Sequence, residues 1–255
     1  MPVLGTGGAG FNSLGPDIMK LTKYAAYFIE GFNLSRRSLD LLLIYLLLSL
    51  TTFINLLVRD QSLSNFLSIL SVATLVISTG FTLSLPLFFT MKQDRNLSLD
   101  KVLGTTLNNI KRFIVPGTLL TVGVIVVCFI IAAVLFGIFN PSKDELRSVL
   151  ESLTLRLVFA IFSVFLLIFE FTAIYFSIER KSLIGALKAS AYTSFNNLGY
   201  LGTLAVINLV HFTLISFIPP DYAGALVIGS IFSYVVSFFL NATTLIYYQK
   251  AVKNH

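Results

Sequence analysis

Long apolar segments separated by short polar breaks dominate the chain. Six of them have about 20 residues or more, the length that an α-helix needs to cross a hydrocarbon core of about 30 Å. The pattern predicts an all-α integral membrane protein with six transmembrane helices. The predicted spans are residues 39–58, 63–91, 113–139, 152–178, 198–218 and 222–248.

The links between neighbouring spans are short at both ends of the chain. Residues 59–62 join the first pair of spans, and residues 219–221 join the last pair. Because connections of this length leave no room for a crossover, each pair is predicted to form a tight antiparallel hairpin.

An amphipathic stretch precedes each hairpin, at residues 17–32, 98–113 and 182–197. Ser98 and Ser182 are the natural N-caps of the second and third stretches. Amphipathic helices of this kind lie in the membrane interface with their apolar face toward the acyl chains. The predicted apolar face of the first stretch is Ile18, Leu21, Ala25, Phe28, Ile29 and Phe32, and that of the third is Leu183, Leu187, Ala191, Phe195 and Leu198.

The chain therefore divides into three units, at approximately residues 17–91, 98–178 and 182–248, each an amphipathic helix followed by a transmembrane hairpin. Two spans in every unit make all units face the same way, as in a parallel repeat. The second spans end alike, in Phe88-Phe89, Tyr175-Phe176 and Tyr247-Tyr248. We predict one six-helix membrane domain over residues 17–250 with threefold pseudo-symmetry, a flexible Gly-rich tail at 1–16 and a short tail at 251–255.

Composition agrees with this pattern, since 56% of the residues are hydrophobic, 12% are charged and the mean hydropathy is +0.87. The net charge is +6, but the basic residues flank apolar helices and form no run. Anionic lipid headgroups are therefore the expected partner of this charge, and nucleic acid is not.

The basic residues are distributed unequally between the two sides of the predicted membrane. Fourteen of the 18 Lys and Arg residues fall on the side of the termini. The positive-inside rule then predicts a multi-pass protein of the cell membrane with both termini in the cytoplasm. The four on the other side are Arg59, Lys143, Arg147 and Arg156.

Glu170 is the acidic residue that lies deep in a predicted span, about 12 Å along the helix from its end. Intramembrane carboxyl groups are costly and often mark an ion or proton path. The alternative is a structural carboxyl group that is hydrogen-bonded to a neighbouring helix. His211, Asn208 and Asn241 complete a candidate intramembrane polar site, and we expect His211 or Asn241 to bond Glu170.

Small polar residues also form a stripe in the sixth span, where they either pack against another helix or line a water-filled path. The stripe consists of Ser230, Ser233, Ser237, Asn241 and Thr244. Helix packing is the preferred interpretation, because small residues let helix backbones approach and their hydroxyl groups bond across helices.

Motifs for catalysis or cofactor binding are missing from the sequence. It has no Gly-rich phosphate loop, nucleophile elbow, His-Glu-x-x-His or paired carboxylates. Its one cysteine, Cys128, lies in an apolar run, so neither a disulfide framework nor a zinc cluster is expected. We predict no enzymatic activity, no cofactor and no metal.

One segment resembles a known family. An apolar helix end at Ile174 is followed by an acidic-basic break at Glu179, and then by Ala186, Leu187 and Ser190 in an Ala-Leu-x-x-Ser pattern. This resembles a bacterial and archaeal membrane family whose members occur alone or fused to glycerophosphodiester phosphodiesterase domains. The family usually has Pro in the preceding helix end, where this chain has Ala173, although Pro86 stands in the earlier copy. The resemblance implies a six-span bundle and no known chemistry.

Two functions are compatible with these features. The first is a membrane scaffold without catalytic activity, acting on lipid, on a membrane-protein partner or on a second copy of the chain through its amphipathic helices. The alternative is a small permease in which Glu170, His211 and Asn241 face a common cavity. A close-packed core of Phe and Leu favours the scaffold, and a continuous polar cavity favours the permease.

Overall fold

The computed structural model describes residues 16–48, 61–93, 167–216 and 223–253, together with isolated positions between 50 and 134. In this part of the chain all regular structure is helical, which confirms the predicted all-α class. It also contains a 3₁₀ turn, Leu167–Phe169, and a π-helical turn, Tyr248–Val252. The helices are α1 (Pro16–Arg37), α2 (Leu39–Leu48), α3 (Gln61–Gln93), α4 (Thr172–Ser177), α5 (Leu183–Asn196), α6 (Leu198–Ser216) and α7 (Ala223–Tyr247).

Several predicted elements lie wholly or largely outside the described residues. These are the Gly-rich tail up to residue 15, the second amphipathic stretch at 98–113, the third span at 113–139 and the first half of the fourth span. The predicted domain and repeat boundaries therefore stay predictions.

Among the described residues, the segment Val227–Val252 is long and apolar enough to cross a membrane. The helices Leu183–Asn196 and Leu198–Leu214 meet the same criterion only as a pair, and they are bent by 97°. These helices give limited support to a membrane location. The six spans, the multi-pass topology and the cytoplasmic termini stay predictions.

Helix α1 packs along α7 and buries Tyr27, Gly31 and Leu34. The contact is close at Gly31, where an added Cβ atom would lie 2.7 Å from the backbone Cα of Thr243. The buried face differs from the predicted apolar face, because Ile29 and Phe32 are 63% and 58% exposed. Close backbone approach and ring packing, rather than aliphatic content, select the side of α1 that meets the bundle.

The hairpin of α2 and α3 packs against α7. Lys92 Nζ near the end of α3 pairs with Asp40 Oδ2 at the start of α2, 2.7 Å away, so these helices are antiparallel. Tyr45 on α2 is hydrogen-bonded to Thr82 Oγ1 at 3.1 Å and packs edge-on against Tyr234 of α7. Helix α7 runs in the same direction as α3.

Aromatic side chains fill much of the core between these helices. The aromatic pairs at the ends of the predicted second spans are largely buried: Phe88, Phe89, Tyr247 and Tyr248 lie in this core, Phe176 lies in a smaller adjoining cluster, and Tyr175 is partly buried. Phe89 packs against Phe238 of α7 with ring centroids 5.0 Å apart. Tyr175 packs edge-on against Tyr248 at 5.5 Å.

Helix α5 begins as predicted, because the side chain of Ser182 accepts a hydrogen bond from Gly185 N at 3.2 Å. Its inward face, however, is made of small residues. The predicted apolar face is displaced from the core, since Phe195 and Leu198 are 61% and 62% exposed. The buried residues of α5 are Ala186, Ser190, Thr193 and Ser194.

Candidate functional site: a polar cluster around Glu170

Glu170 lies between the 3₁₀ turn Leu167–Phe169 and the start of α4, in the part of the predicted fourth span that the structure describes. Its backbone N–H donates to Leu167 O at 3.0 Å, which closes the 3₁₀ turn before α4 begins at Thr172. Short 3₁₀ segments within helices often mark strained or functional positions. Carbonyl groups of this turn that have no partner within it need partners from neighbouring helices.

Helix α5 donates hydrogen bonds to the 3₁₀ turn that precedes α4. Ser190 Oγ and Ser194 Oγ both donate to the carbonyl oxygen of Ile168, at 3.2 and 2.8 Å. In a membrane, hydroxyl groups of neighbouring helices bond backbone groups that have no partner within their own segment. The small face of α5 therefore stabilises the position from which Glu170 projects.

The carboxyl group of Glu170 contacts α7. Thr244 Oγ1 donates to Glu170 Oε1 at 2.8 Å, and the hydroxyl groups of Thr244 and Tyr200 are 3.0 Å apart. Because threonine has a single hydroxyl proton, Tyr200 must donate to Thr244 in this arrangement. The result is a directed chain from Tyr200 through Thr244 to Glu170, linking α6, α7 and the segment before α4.

Ring stacking holds this chain in place. The rings of Tyr200 and Tyr247 are parallel to within 3°, with centroids 3.8 Å apart. Tyr247 Oη donates to Asn197 Oδ1 at 2.6 Å, and Asn197 Nδ2 donates to Thr193 O at 2.7 Å. Asn197 stands at the bend between α5 and α6, so the cluster also fixes the angle between those helices.

In the structure, neither His211 nor Asn241 is hydrogen-bonded to Glu170. His211 Nε2 is 3.0 Å from Ser233 Oγ, in a contact between α6 and α7 that does not involve Glu170. Asn241 Nδ2 donates to Ser237 O of its own helix at 2.9 Å. Asn208 is partly buried on α6.

The partner of Glu170 is therefore Thr244, one helical turn beyond the expected Asn241. Thr244 is part of the small polar stripe of the sixth span, so the sequence pointed to the correct helix. Tyr200, Tyr247 and Asn197 were not predicted as site residues. A tyrosine inside a predicted span was the available signal, since a buried tyrosine hydroxyl needs a polar partner.

The polar cluster joins neighbouring helices through hydrogen bonds. Within the described residues, no group of three or more His, Cys, Asp or Glu side chains is arranged to hold a metal ion. The hydroxyl and carboxyl groups around Glu170 bond one another across helix boundaries, and the buried rings of Phe171, Tyr200 and Tyr247 surround them. This arrangement can stabilise helix contacts.

A second polar cluster lies where α3, α4 and α7 end. Gln93 and Gln249 exchange hydrogen bonds of 3.2 and 3.1 Å. Lys250 Nζ pairs with Glu30 Oε1 at 2.6 Å, and Tyr248 Oη donates to Glu179 Oε1 at 3.1 Å. The turn after α7 therefore contacts α1, α3 and the break after α4.

No family model, curated protein or solved structure matches the chain. The family resemblance of residues 174–190 therefore stays a prediction.

Proposed function

We propose that this protein is a multi-pass membrane scaffold without catalytic activity, with both termini in the cytoplasm. The observation that carries the proposal is the bond from Thr244 to Glu170, which uses the intramembrane carboxyl group in a contact between helices. Its partners are anionic lipid headgroups at the cytoplasmic face and a membrane protein or second copy of the chain.

The packing around Glu170 supports a scaffold rather than a transport path. Phe171 and Tyr200 are fully buried beside Glu170, and the Tyr200–Tyr247 stack leaves no gap between the two rings. His211 and Asn241 bond other residues, so neither of them is the hydrogen-bond partner of Glu170. Polar groups that bond across helices are the usual means of holding membrane helices together.

The order of helix contacts supports three repeated units arranged in a ring. Helix α5, which opens the third proposed unit, packs on the 3₁₀ turn and α4, which end the second. Helix α1, which opens the first proposed unit, packs on α7, which ends the third. Each of these amphipathic helices thus contacts the last helix of the unit before it, and α1 would close the ring.

The outer surface of α6 supports contact with lipid. Val206, Val210 and Leu214 are 60%, 54% and 53% exposed along this helix. They line an open, mostly apolar groove of about 270 Å³. A helix that exposes a row of aliphatic side chains is stable in hydrocarbon and costly in water.

Substitutions of Glu170 test the scaffold. Glu170→Gln keeps an oxygen that accepts from Thr244, so thermal unfolding in detergent should match that of the original protein. Glu170→Leu removes the acceptor and should lower stability by about 1–3 kcal/mol. Far-UV circular dichroism during heating measures both.

The permease alternative predicts a different result for the same variants. In that case the chain from Tyr200 to Glu170 conducts protons, and proteoliposomes with a pH-sensitive dye should show proton uptake that Glu170→Gln abolishes without loss of stability. Such uptake would overturn the scaffold. Absence of uptake together with destabilisation in Glu170→Leu alone would support it.

A further inference from the structure

The outward side of α5 carries an exposed stripe opposite the small face that contacts the bundle. We define this outer face of α5 as Ile184, Lys188, Tyr192 and Phe195, which recur at helical spacing. Ile184, Tyr192 and Phe195 are 67%, 73% and 61% exposed. Large apolar side chains so exposed in a row indicate a surface that meets another phase or molecule.

The orientation of α5 relative to α6 indicates that the outer face of α5 meets the membrane interface. The axes of α5 and α6 are bent by 97° at Asn197. If α6 runs across the membrane, α5 lies nearly in the plane of the interface. Helices in this position bury their apolar side chains at the level of the lipid headgroups, where tyrosine is favoured.

The charge of the outer face and of the turn before it is positive. Arg180, Lys181 and Lys188 are exposed, and α5 contains no acidic residue. Arg180 has φ 54, which turns the chain sharply into α5. Lys181 Nζ lies 4.7 Å from the ring centroid of Tyr175.

Glu179, the acidic residue next to Arg180 in the sequence, already has partners. Glu179 accepts from Tyr248 and lies 4.0 Å from Lys253 Nζ. Among the described residues, no carboxylate is within ion-pair distance of Arg180 or Lys188. Within the described part of the chain, Arg180 and Lys188 are therefore available to an external anion.

We infer that the outer face of α5 binds anionic phospholipid in the cytoplasmic interface, with Arg180, Lys181 and Lys188 contacting the headgroups. The inference rests on the proposed function, which places α6 across the membrane. It adds the surface that recognises lipid and the headgroup charge that this surface selects. Basic residues next to apolar interfacial side chains are the usual basis of such selectivity.

A single-tryptophan probe tests this inference, because the chain contains no Trp. Tyr192→Trp places the probe on the outer face. The protein is reconstituted in equal mixtures of phosphatidylcholine and phosphatidylglycerol, and either one or the other lipid carries brominated acyl chains that quench nearby tryptophan. Val210→Trp on the outer surface of α6 is the matched control.

The inference predicts that brominated phosphatidylglycerol quenches the probe at position 192 severalfold more strongly than brominated phosphatidylcholine does. The reason is that each basic residue at the surface enriches the anionic lipid around it. Replacing Arg180, Lys181 and Lys188 by Gln should equalise the two. The probe at position 210 should be quenched equally by both lipids, with or without the Gln substitutions.

The other outcomes separate the two proposals. If neither lipid quenches the probe at position 192 while both quench the probe at position 210, another protein surface covers α5 and the inference is wrong. Equal quenching of the probe at position 192 by both lipids would remove the selectivity and also overturn it. If neither probe is quenched, the membrane location itself fails.

Discussion

At the scale of single residues, the polar groups within the predicted spans are explained by their hydrogen-bond partners. Glu170 is exceptional in the sequence because a lone carboxyl group in a span suggests transport. In the structure it is one end of a hydrogen-bonded chain that begins at Tyr200. The hydroxyl groups of Tyr200 and Thr244 were less conspicuous in the sequence, because such residues are common in membrane helices.

Among the described glycines, Gly31 marks the closest approach of α1 to α7. A side chain there would collide with the backbone of Thr243, which rotamer changes do not relieve. We predict that Gly31→Ala separates the two helices and lowers the free energy of unfolding by about 1–3 kcal/mol. Thermal unfolding in detergent measures the loss.

Gly202 is the control for Gly31. It lies on α6, where an added Cβ atom has no heavy atom within 4 Å. Gly202→Ala should therefore leave stability unchanged or raise it by up to about 1 kcal/mol through helix propensity. Equal stability of the Gly31 and Gly202 variants would contradict the close contact between α1 and α7.

At the scale of elements, α5 shows why an amphipathic pattern does not always identify the buried face. Its larger aliphatic and aromatic residues form the predicted apolar face, but the bundle contacts Ala186, Ser190 and Ser194. Small residues permit close approach, and two of them bond the carbonyl group of Ile168. In a membrane protein the larger apolar residues have a second favourable environment, which is lipid.

We predict that Ala186→Leu destabilises the protein more than Ile184→Ala does. Ala186 is fully buried against Ala173 and Phe176, so a larger side chain should cost about 1–3 kcal/mol. Ile184 is 67% exposed, and its truncation should have little effect in detergent. Chemical denaturation of both variants tests the order, and the reverse order would place the outer face of α5 inside the bundle.

At the scale of the whole molecule, the turn Tyr248–Val252 connects parts of the chain that are far apart in sequence. Through Tyr248, Gln249 and Lys250 it contacts Glu179, Gln93 and Glu30. The ion pair of Lys250 is exposed at both side chains, so its own contribution is at most about 1 kcal/mol. The buried ring of Tyr248 contributes more through packing.

Cysteine labelling tests the proposed topology of the whole chain. In a Cys128→Ala background, Ser62→Cys and Ser142→Cys should react with an impermeant reagent applied to intact cells. Ser98→Cys and Lys188→Cys should react only after permeabilisation. Lys188 is preferable to Ser182 because Ser182 caps α5. Labelling in the opposite pattern would invert the topology and contradict the positive-inside assignment.

The sequence by itself determined the helical class and the start of α5 at Ser182. These features depend on local propensity, capping and hydrophobic length, all of which are written in consecutive residues. It also identified Glu170 as exceptional, since burial of a carboxyl group is costly wherever its partner lies.

Only the tertiary structure decided which faces of α1 and α5 are buried, and that Thr244 rather than His211 or Asn241 bonds Glu170. Lipid and protein interior are both apolar, so hydrophobicity does not distinguish them along a membrane helix. The choice depends on close approach at Gly31 and on the carbonyl group of Ile168, which follow from the packing of helices distant in sequence.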